Sequence, residues 1–402
     1  MTRISLLFLW ITAQSLTAAD WPQLLGPQRD GVIEAPAGKK LIEPQPVWER
    51  ELGTGFAGPV VASGKVVIAH RLGDELVVEA VEAATGVMLW TFKRATDYVD
   101  NFGFDNGPRG VPAIVNGRVF VHGADGVLDA IDLETGKSLW QVDTVKDYAS
   151  PQGFFGRACS PLVVGDRVII TPGGQGKGQA AGVVAFEVTT GKQAWQSVAD
   201  EAGYASPIAV GADQLLCWMR NEVWLLESSS GKVTAHRRLR ADMEASVNAS
   251  QPLLLSGGRV LLSAGYDVGL HVLKLPELEP VWVKSGLLDA HYGTPVIDGE
   301  TLFGFDGRQE MGQTLRCIDL TAQEKRWQSS SVPGGTLIRV GAHLLVVTEQ
   351  GELWVIPTDA KTFDPLHQVQ ILRSGHRAHL AFAEGLLYAR DGQQLVAIRV
   401  FE

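Results

Sequence analysis

Three segments repeat one spacing of small and large residues, and that spacing constrains the fold more than any other feature of the chain. In EAVEAATGVMLW, DAIDLETGKSLW and VAFEVTTGKQAW, an alanine stands ten residues and a glycine four residues before a tryptophan, at Trp90, Trp140 and Trp195. A Thr-Gly pair between two apolar runs signals a tight hairpin turn, because glycine takes a positive φ without steric cost. Weaker copies follow. RCIDLTAQEKRW ends at Trp327 and keeps Asp319, KLPELEPVW ends at Trp282, and LLESSSGKVTA keeps Gly231 without a tryptophan. Upstream of each turn lies a second anchor: a small or polar residue, a proline, a short apolar run and a turn. The prolines are Pro59, Pro112, Pro161, Pro207, Pro252 and Pro295, and fainter copies stand at Thr336 and His379. The units recur every 41 to 53 residues, a period that belongs to solenoids, propellers and arrays.

Each unit reads as four short strands. In the unit from Pro112 to Trp140 these are PAIV, RVFVH, VLDAID and SLW, parted by turns at Asn116-Gly117, Asp125-Gly126 and Thr135-Gly136. Short β-rich runs with turn residues between them make an antiparallel four-stranded sheet, and a repeat of this length built from four strands is a propeller blade. No long stretch carries an apolar period of 3.6 with helix caps. The expected fold is all-β, an eight-bladed β-propeller, with seven blades as the alternative if one weak unit is not a full blade. The last unit stops at QLVAIRVFE, its third strand, and the orphan PVWEREL around Trp48 precedes the first unit. That orphan supplies the missing fourth strand, so that one blade is shared by both termini, which locks the ring and protects its edges.

Composition narrows the setting. The chain has 402 residues, 45 of them glycine, which suits many tight turns, and a formal charge of −10, which argues against nucleic acid as a partner. Residues 1–19 read as a secretory signal peptide: Arg3, an apolar stretch from Ile4 to Ile11, then Thr17 and Ala19 as a small-x-small cleavage signal before Asp20. An extension follows over residues 20–43, and residues 44–402 form a single propeller domain. The chain is therefore expected to be exported, periplasmic or extracellular, with no transmembrane segment, and monomeric. Cys159, Cys217 and Cys317 are far apart and odd in number, so they read as buried strand residues and not as a disulfide scaffold.

The complete motif A-x-D-x-x-T-G-K-x-x-W at Ala130, Asp132, Thr135, Gly136, Lys137 and Trp140 resembles the repeat of the pyrroloquinoline-quinone (PQQ) type propellers. The resemblance runs over about residues 44–402. It implies that Trp48, Trp90, Trp140, Trp195, Trp282 and Trp327 dock one blade on another. The family holds quinoprotein dehydrogenases and also non-enzymatic propellers, such as the lipoprotein scaffold of the outer-membrane β-barrel assembly machinery. The dehydrogenases typically carry adjacent cysteines over the cofactor, which this chain lacks, and the scaffold carries a lipid-modified cysteine, also lacking here. The resemblance thus implies a binding or scaffold propeller, with a PQQ-dependent alcohol or sugar dehydrogenase using Ca²⁺ as the alternative. It names no catalytic residue.

A site is expected at the end opposite the Thr-Gly turns, where the loops are longest and least repetitive, as in TFKRATDYVDNFGFDNGPRG, VDTVKDYASPQGFFGR and FDGRQEMGQ. Residues just before each inner strand should point toward the central axis. Arg109, Arg157, Asn248, His291, Tyr292, Asp306 and Arg377 are the ligand-binding candidates, with Tyr204 and His376 beside them. Cationic and hydrogen-bonding groups converging from different blades suit an anionic small molecule or a protein partner. The histidines show no i, i+4 pairing, so no zinc site is expected and no metal ligand is assigned, while Asp105, Asp242, Asp289 and Asp306 could balance the cationic groups or face a hard cation such as Ca²⁺.

Overall fold

Each repeat unit folds into one four-stranded antiparallel sheet in the computed structural model, which describes residues 20–402 apart from Lys177 and Ser374. The segment read as a signal peptide, residues 1–19, lies outside the described residues. Eight such sheets make up the ring, so the eight-bladed count holds. In the second blade the strands are Ala113–Val115, Arg118–His122, Val127–Asp132 and Ser138–Asp143, from the axis outward. The two middle strands of a blade pack on neighbouring blades through both faces. They are accordingly rich in buried apolar residues: Val66, Val67, Ile68 and Ala69 are all fully buried. Burying a side chain of this size contributes about 1.5–3 kcal/mol.

The closing strand is where the orphan segment predicted it. Leu41–Glu51 pairs antiparallel with Gln394–Phe401, the third strand of the last blade, with Trp48 opposite Ala397. Arg390 of that blade is fully buried and donates to the carbonyls of Gly53 at 2.8 Å and Ala69 at 3.3 Å, which ties the eighth blade to the first.

The alanine, glycine and tryptophan of the motif have separate geometric reasons. Ala80, Ala130 and Ala185 are the cross-strand partners of Trp90, Trp140 and Trp195 within their own blades. The fourth strand bulges just before the tryptophan, skipping Leu89, Leu139 and Ala194 in the register. A bulge turns the local strand and re-aims its side chain, and here it swings the indole over the neighbouring blade. Each indole N–H donates to a carbonyl next to the following blade's turn: Trp48 to Ala83, Trp90 to Leu133, Trp140 to Val188 and Trp195 to Ser228, all at 2.8–3.1 Å. The glycine of that turn lies under the ring. A Cβ on Gly136 would sit 2.7 Å from Trp90. Trp327 likewise donates to Ala360, and Trp282 packs beside the apolar cluster that includes Ile318 and Leu320. The acidic position holds the turn, since Asp132 accepts from the amide and the hydroxyl of Thr135.

The extension preceding the closing strand does not hang free. From Trp21 to Ile33 it lies across the inner edges of the ring. Trp21 exchanges two backbone hydrogen bonds of 2.8 Å with Val61 of the first blade. The carbonyl of Pro22 accepts from Ile114 of the second. Arg29 donates to the carbonyls of Pro161 and Ser160 beside the third. Val32–Ile33 then pairs parallel with the inner strand of the seventh blade, Gly335–Val340. Inner strands of a propeller have a free edge facing the channel, and this segment occupies part of it. No helix among the described residues is long and apolar enough to cross a membrane.

Candidate functional site

The residues before four of the proline anchors, Ser160, Ser206, Gln251 and Thr294, are polar, and the structure gives the reason. The amide of Val111 donates to the Ser160 hydroxyl, that of Ser160 to Ser206, that of Ser206 to the Gln251 side-chain carbonyl, and that of Gln251 to the Thr294 hydroxyl, at 2.7–3.1 Å. In blades 3 to 6 this side chain caps the amide at the same position of the preceding blade. The relay satisfies buried amides that would otherwise cost about 1–3 kcal/mol each. It also holds the loop ends around the axis in fixed register.

Above this belt lies a cavity of about 440 Å³ at the loop face. Its walls are aromatic: Phe56, Phe104, Phe155, Tyr204, Tyr266 and Tyr292 all line it, and Leu24 of the N-terminal segment lies among the lining residues. Phe155 packs on Phe102, Phe104 and Tyr204 with ring centroids 5.3–5.8 Å apart. The cavity's volume falls in the range of small-ligand sites.

Of the residues singled out from sequence, Arg109, Tyr204, His291, Tyr292 and Arg377 line the cavity. Arg109 lies over Phe56 and Tyr98 and pairs with Asp100 at 3.1 Å, while donating to the carbonyls of Gly107 and Asp105. Arg377 lies over Phe56 and Phe104 and pairs with Glu349 at 3.0 Å. The same carboxylate oxygen accepts from the Tyr292 hydroxyl at 2.6 Å. Burial first, and then the Glu349 charge, raise the Tyr292 pKa well above its ordinary value, so this phenol remains a donor. His291 is 8% exposed, and burial lowers its pKa to about 4. Its Nε2 lies 3.3 Å from the Tyr266 hydroxyl, and its Nδ1 has no hydrogen-bond partner among the described residues. A neutral imidazole there offers one donor and one acceptor and no charge.

The structure places Arg157, Asn248 and Asp306 outside the cavity lining. Arg157 donates to the Ser150 hydroxyl and carbonyl and to the carbonyl of Asp125. Asn248 donates to the carbonyls of Met219 and Arg220. Asp306 pairs with Arg316 at 2.7 Å and accepts from the amide of Asp289. Their polar groups brace the loops.

Sequence reasoning did not single out Phe56, Phe104, Tyr266, Arg308 and His379, which also line the cavity. Arg308 lies over Tyr266 at 4.9 Å and is 4.0 Å from Glu310, a longer ion-pair contact than those of Arg109 and Arg377. It stands in FDGRQEMGQ, a loop marked as variable, but its position in the loop between second and third strands hid its direction. The site can therefore stack flat apolar groups on its walls and set an acidic group near Arg308.

The family model described as Outer membrane protein assembly factor BamB, a model of PQQ-type repeats, matches residues 77–329. A curated Outer membrane protein assembly factor BamB of Burkholderia pseudomallei (strain K96243) is 31% identical over 160 residues, which is 39% of this chain and 34% of that protein's length. The chain thus spans about a third of that relative. BamB from Moraxella catarrhalis superposes with a TM-score of 0.67 at 17% identity, over 89% of this chain and 98% of that one. A europium-containing methanol dehydrogenase superposes with a TM-score of 0.72 at 11% identity, over 95% and 98%. The quinohemoprotein alcohol dehydrogenase from Comamonas testosteroni does so with 0.71 at 13%, over 94% and 80%. At these identities the structural likenesses show a shared fold and nothing finer.

Proposed function

The chain belongs to the PQQ-repeat propeller family described as Outer membrane protein assembly factor BamB, and from that premise we propose that it is an exported binding or scaffold propeller which receives a partner at its loop face and central cavity. The observation that carries this reading is the aromatic mouth of the cavity. Phe102 and Phe104 are 55% and 51% exposed at the rim, and Met243, which lines the cavity, is 52% exposed. A rimmed apolar patch of this kind marks an interaction surface more often than a casual exposure. Aromatic and arginine side chains together are the composition of binding hot spots. The family's assembly-factor members, and the reading of residues 1–19 as a leader, fit an exported location for that role.

The test is a comparison of two surfaces. Tagged protein would be cross-linked in cell envelopes, with Phe102→Ala/Phe104→Ala/Phe155→Ala as the loop-face variant. Val87→Ser/Leu139→Ser, exposed on the turn side, serves as the control. Partner capture is expected to survive the control and to vanish with the loop-face variant. Equal capture by both variants would sink the proposal.

A PQQ-dependent dehydrogenase is the second reading, favoured by the aromatic walls and Arg308. The fit is incomplete. Arg109 and Arg377 already hold carboxylates of their own. Among the described residues no group of three or more His, Cys, Asp or Glu side chains could hold a metal ion. A Ca²⁺ ion beside a quinone would therefore depend on amide and carbonyl oxygens for part of its ligand set. Titration with PQQ and Ca²⁺, followed by absorbance and thermal shift, separates the readings: a saturable spectral change moves the protein to the dehydrogenase class.

A further inference from the structure

We infer that the N-terminal segment Asp20–Ile33 is the floor of the loop-face cavity: it turns the propeller channel into a cup open only at the loop face, and Leu24 sets the depth that a ligand reaches. This rests on the reading of the cavity as a binding site, but the plug itself is argued from independent contacts.

Those contacts are distributed around the ring. The segment bonds through its backbone to Val61, Ile114 and Arg339, on the inner strands of blades 1, 2 and 7. Arg29, 4% exposed, adds two carbonyls beside blade 3. Gly31 approaches Val296 of blade 6 so closely that a Cβ would lie 2.8 Å from it. Trp21, Leu24 and Leu25 are 1%, 3% and 0% exposed, which is the burial of core residues and not of a loose tail. The attachment uses the free edges of inner strands, as an added strand uses a sheet edge. From Ile33 the chain continues outward: Gly341 donates to the Ile33 carbonyl, and Lys40 pairs with Glu402 beside the closing strand. The floor and the ring closure are therefore one continuous segment.

Leu24 is the member of this segment that lines the cavity, a lining it shares with Phe56, Val111 and His379. A group of fixed size at the base limits how far an apolar ligand enters. A charge placed there faces the ligand at short range in a desolvated site, where charges interact strongly.

The experiment uses the full chain and the fluorescent probe anilinonaphthalene sulfonate, which joins a flat apolar body to one anion. Leu24→Glu is compared with its neutral isostere Leu24→Gln, and Arg308→Gln and Phe104→Ala report on the wall. Amide exchange of Trp21, Ile114, Arg339 and Gly341 reports whether the segment is seated. Slow exchange is expected at all four. The probe is expected to bind roughly tenfold more weakly to the Glu variant than to the Gln variant, a factor equivalent to about 1.4 kcal/mol. Fast exchange at these amides in the unaltered chain overturns the plug. Equal affinity of the Glu and Gln variants, with Arg308→Gln or Phe104→Ala weakening the probe, overturns the floor but leaves the cavity reading standing. If no variant moves the probe, the cavity reading fails as well, and exchange alone decides the plug.

Discussion

Gly117 and Gly136 lie in the same blade with nearly the same backbone, φ of +72° and +70°, yet they face different surroundings. A Cβ on Gly117 would meet nothing within 4 Å among the described residues, whereas one on Gly136 would strike the Trp90 indole. Both alanine substitutions carry the left-handed penalty of about 1–2 kcal/mol. Only Gly136→Ala adds an overpacking cost of about 1–3 kcal/mol. Denaturant melts should therefore show Gly136→Ala clearly worse than Gly117→Ala, and equal losses would mean that the seam relaxes freely. The Thr-Gly turn was legible because turn chemistry is local. The second demand on Gly136 comes from the preceding blade, and no local rule reports it. The same holds for Ser160, Ser206 and Gln251. Their polar character before proline was visible, but their partners are amides one blade away.

At the level of elements, the closing strand Leu41–Glu51 could be read from a mismatch: a last unit short of one strand and an orphan strand before the first. Trp48 there spans the termini, donating to Ala83 and lying against Gly86. Trp48→Ala should lower the unfolding free energy by about 2–4 kcal/mol, less than a fully buried tryptophan because its ring is half-buried. If the closing strand were only loosely attached, the midpoint would stay in place. The extension before it, residues 20–43, offers no such mismatch. Its sequence gives no sign of a strand partner, since Val32–Ile33 is only two residues long and pairs with a strand formed near the other end of the chain. The bulge before each tryptophan was equally hidden, because one skipped residue leaves the apolar spacing unchanged.

Over the whole molecule, the ring shape governs both acid stability and the site. Burial holds His122 and His376 neutral, lowering their pKa to about 4 from the ordinary value near 6.5. His376 is satisfied in that form: its Nδ1 faces the Arg390 carbonyl at 2.7 Å, and the Thr336 hydroxyl lies 2.8 Å from Nε2. Between pH 6.5 and 4 the unfolded chain binds protons that the folded chain refuses, so stability falls as pH falls through that window. Melts from pH 7 to 4 should show this decline, and His376→Gln should flatten part of it. An unchanged slope would show that the ring protonates in place. What the sequence alone determined is the repeat: its period, its four strands, its turn and the strand that closes the ring, because hydrophobic alternation and turn chemistry act over a few residues. What only the tertiary structure decided is the site. Closing eight blades into a circle brings loops far apart in sequence to one axis, and it sorts arginines that looked alike into Arg308, with its long contact to Glu310, and Arg157, held by backbone carbonyls. The direction of a loop side chain depends on neighbours that the fold supplies and the local sequence does not.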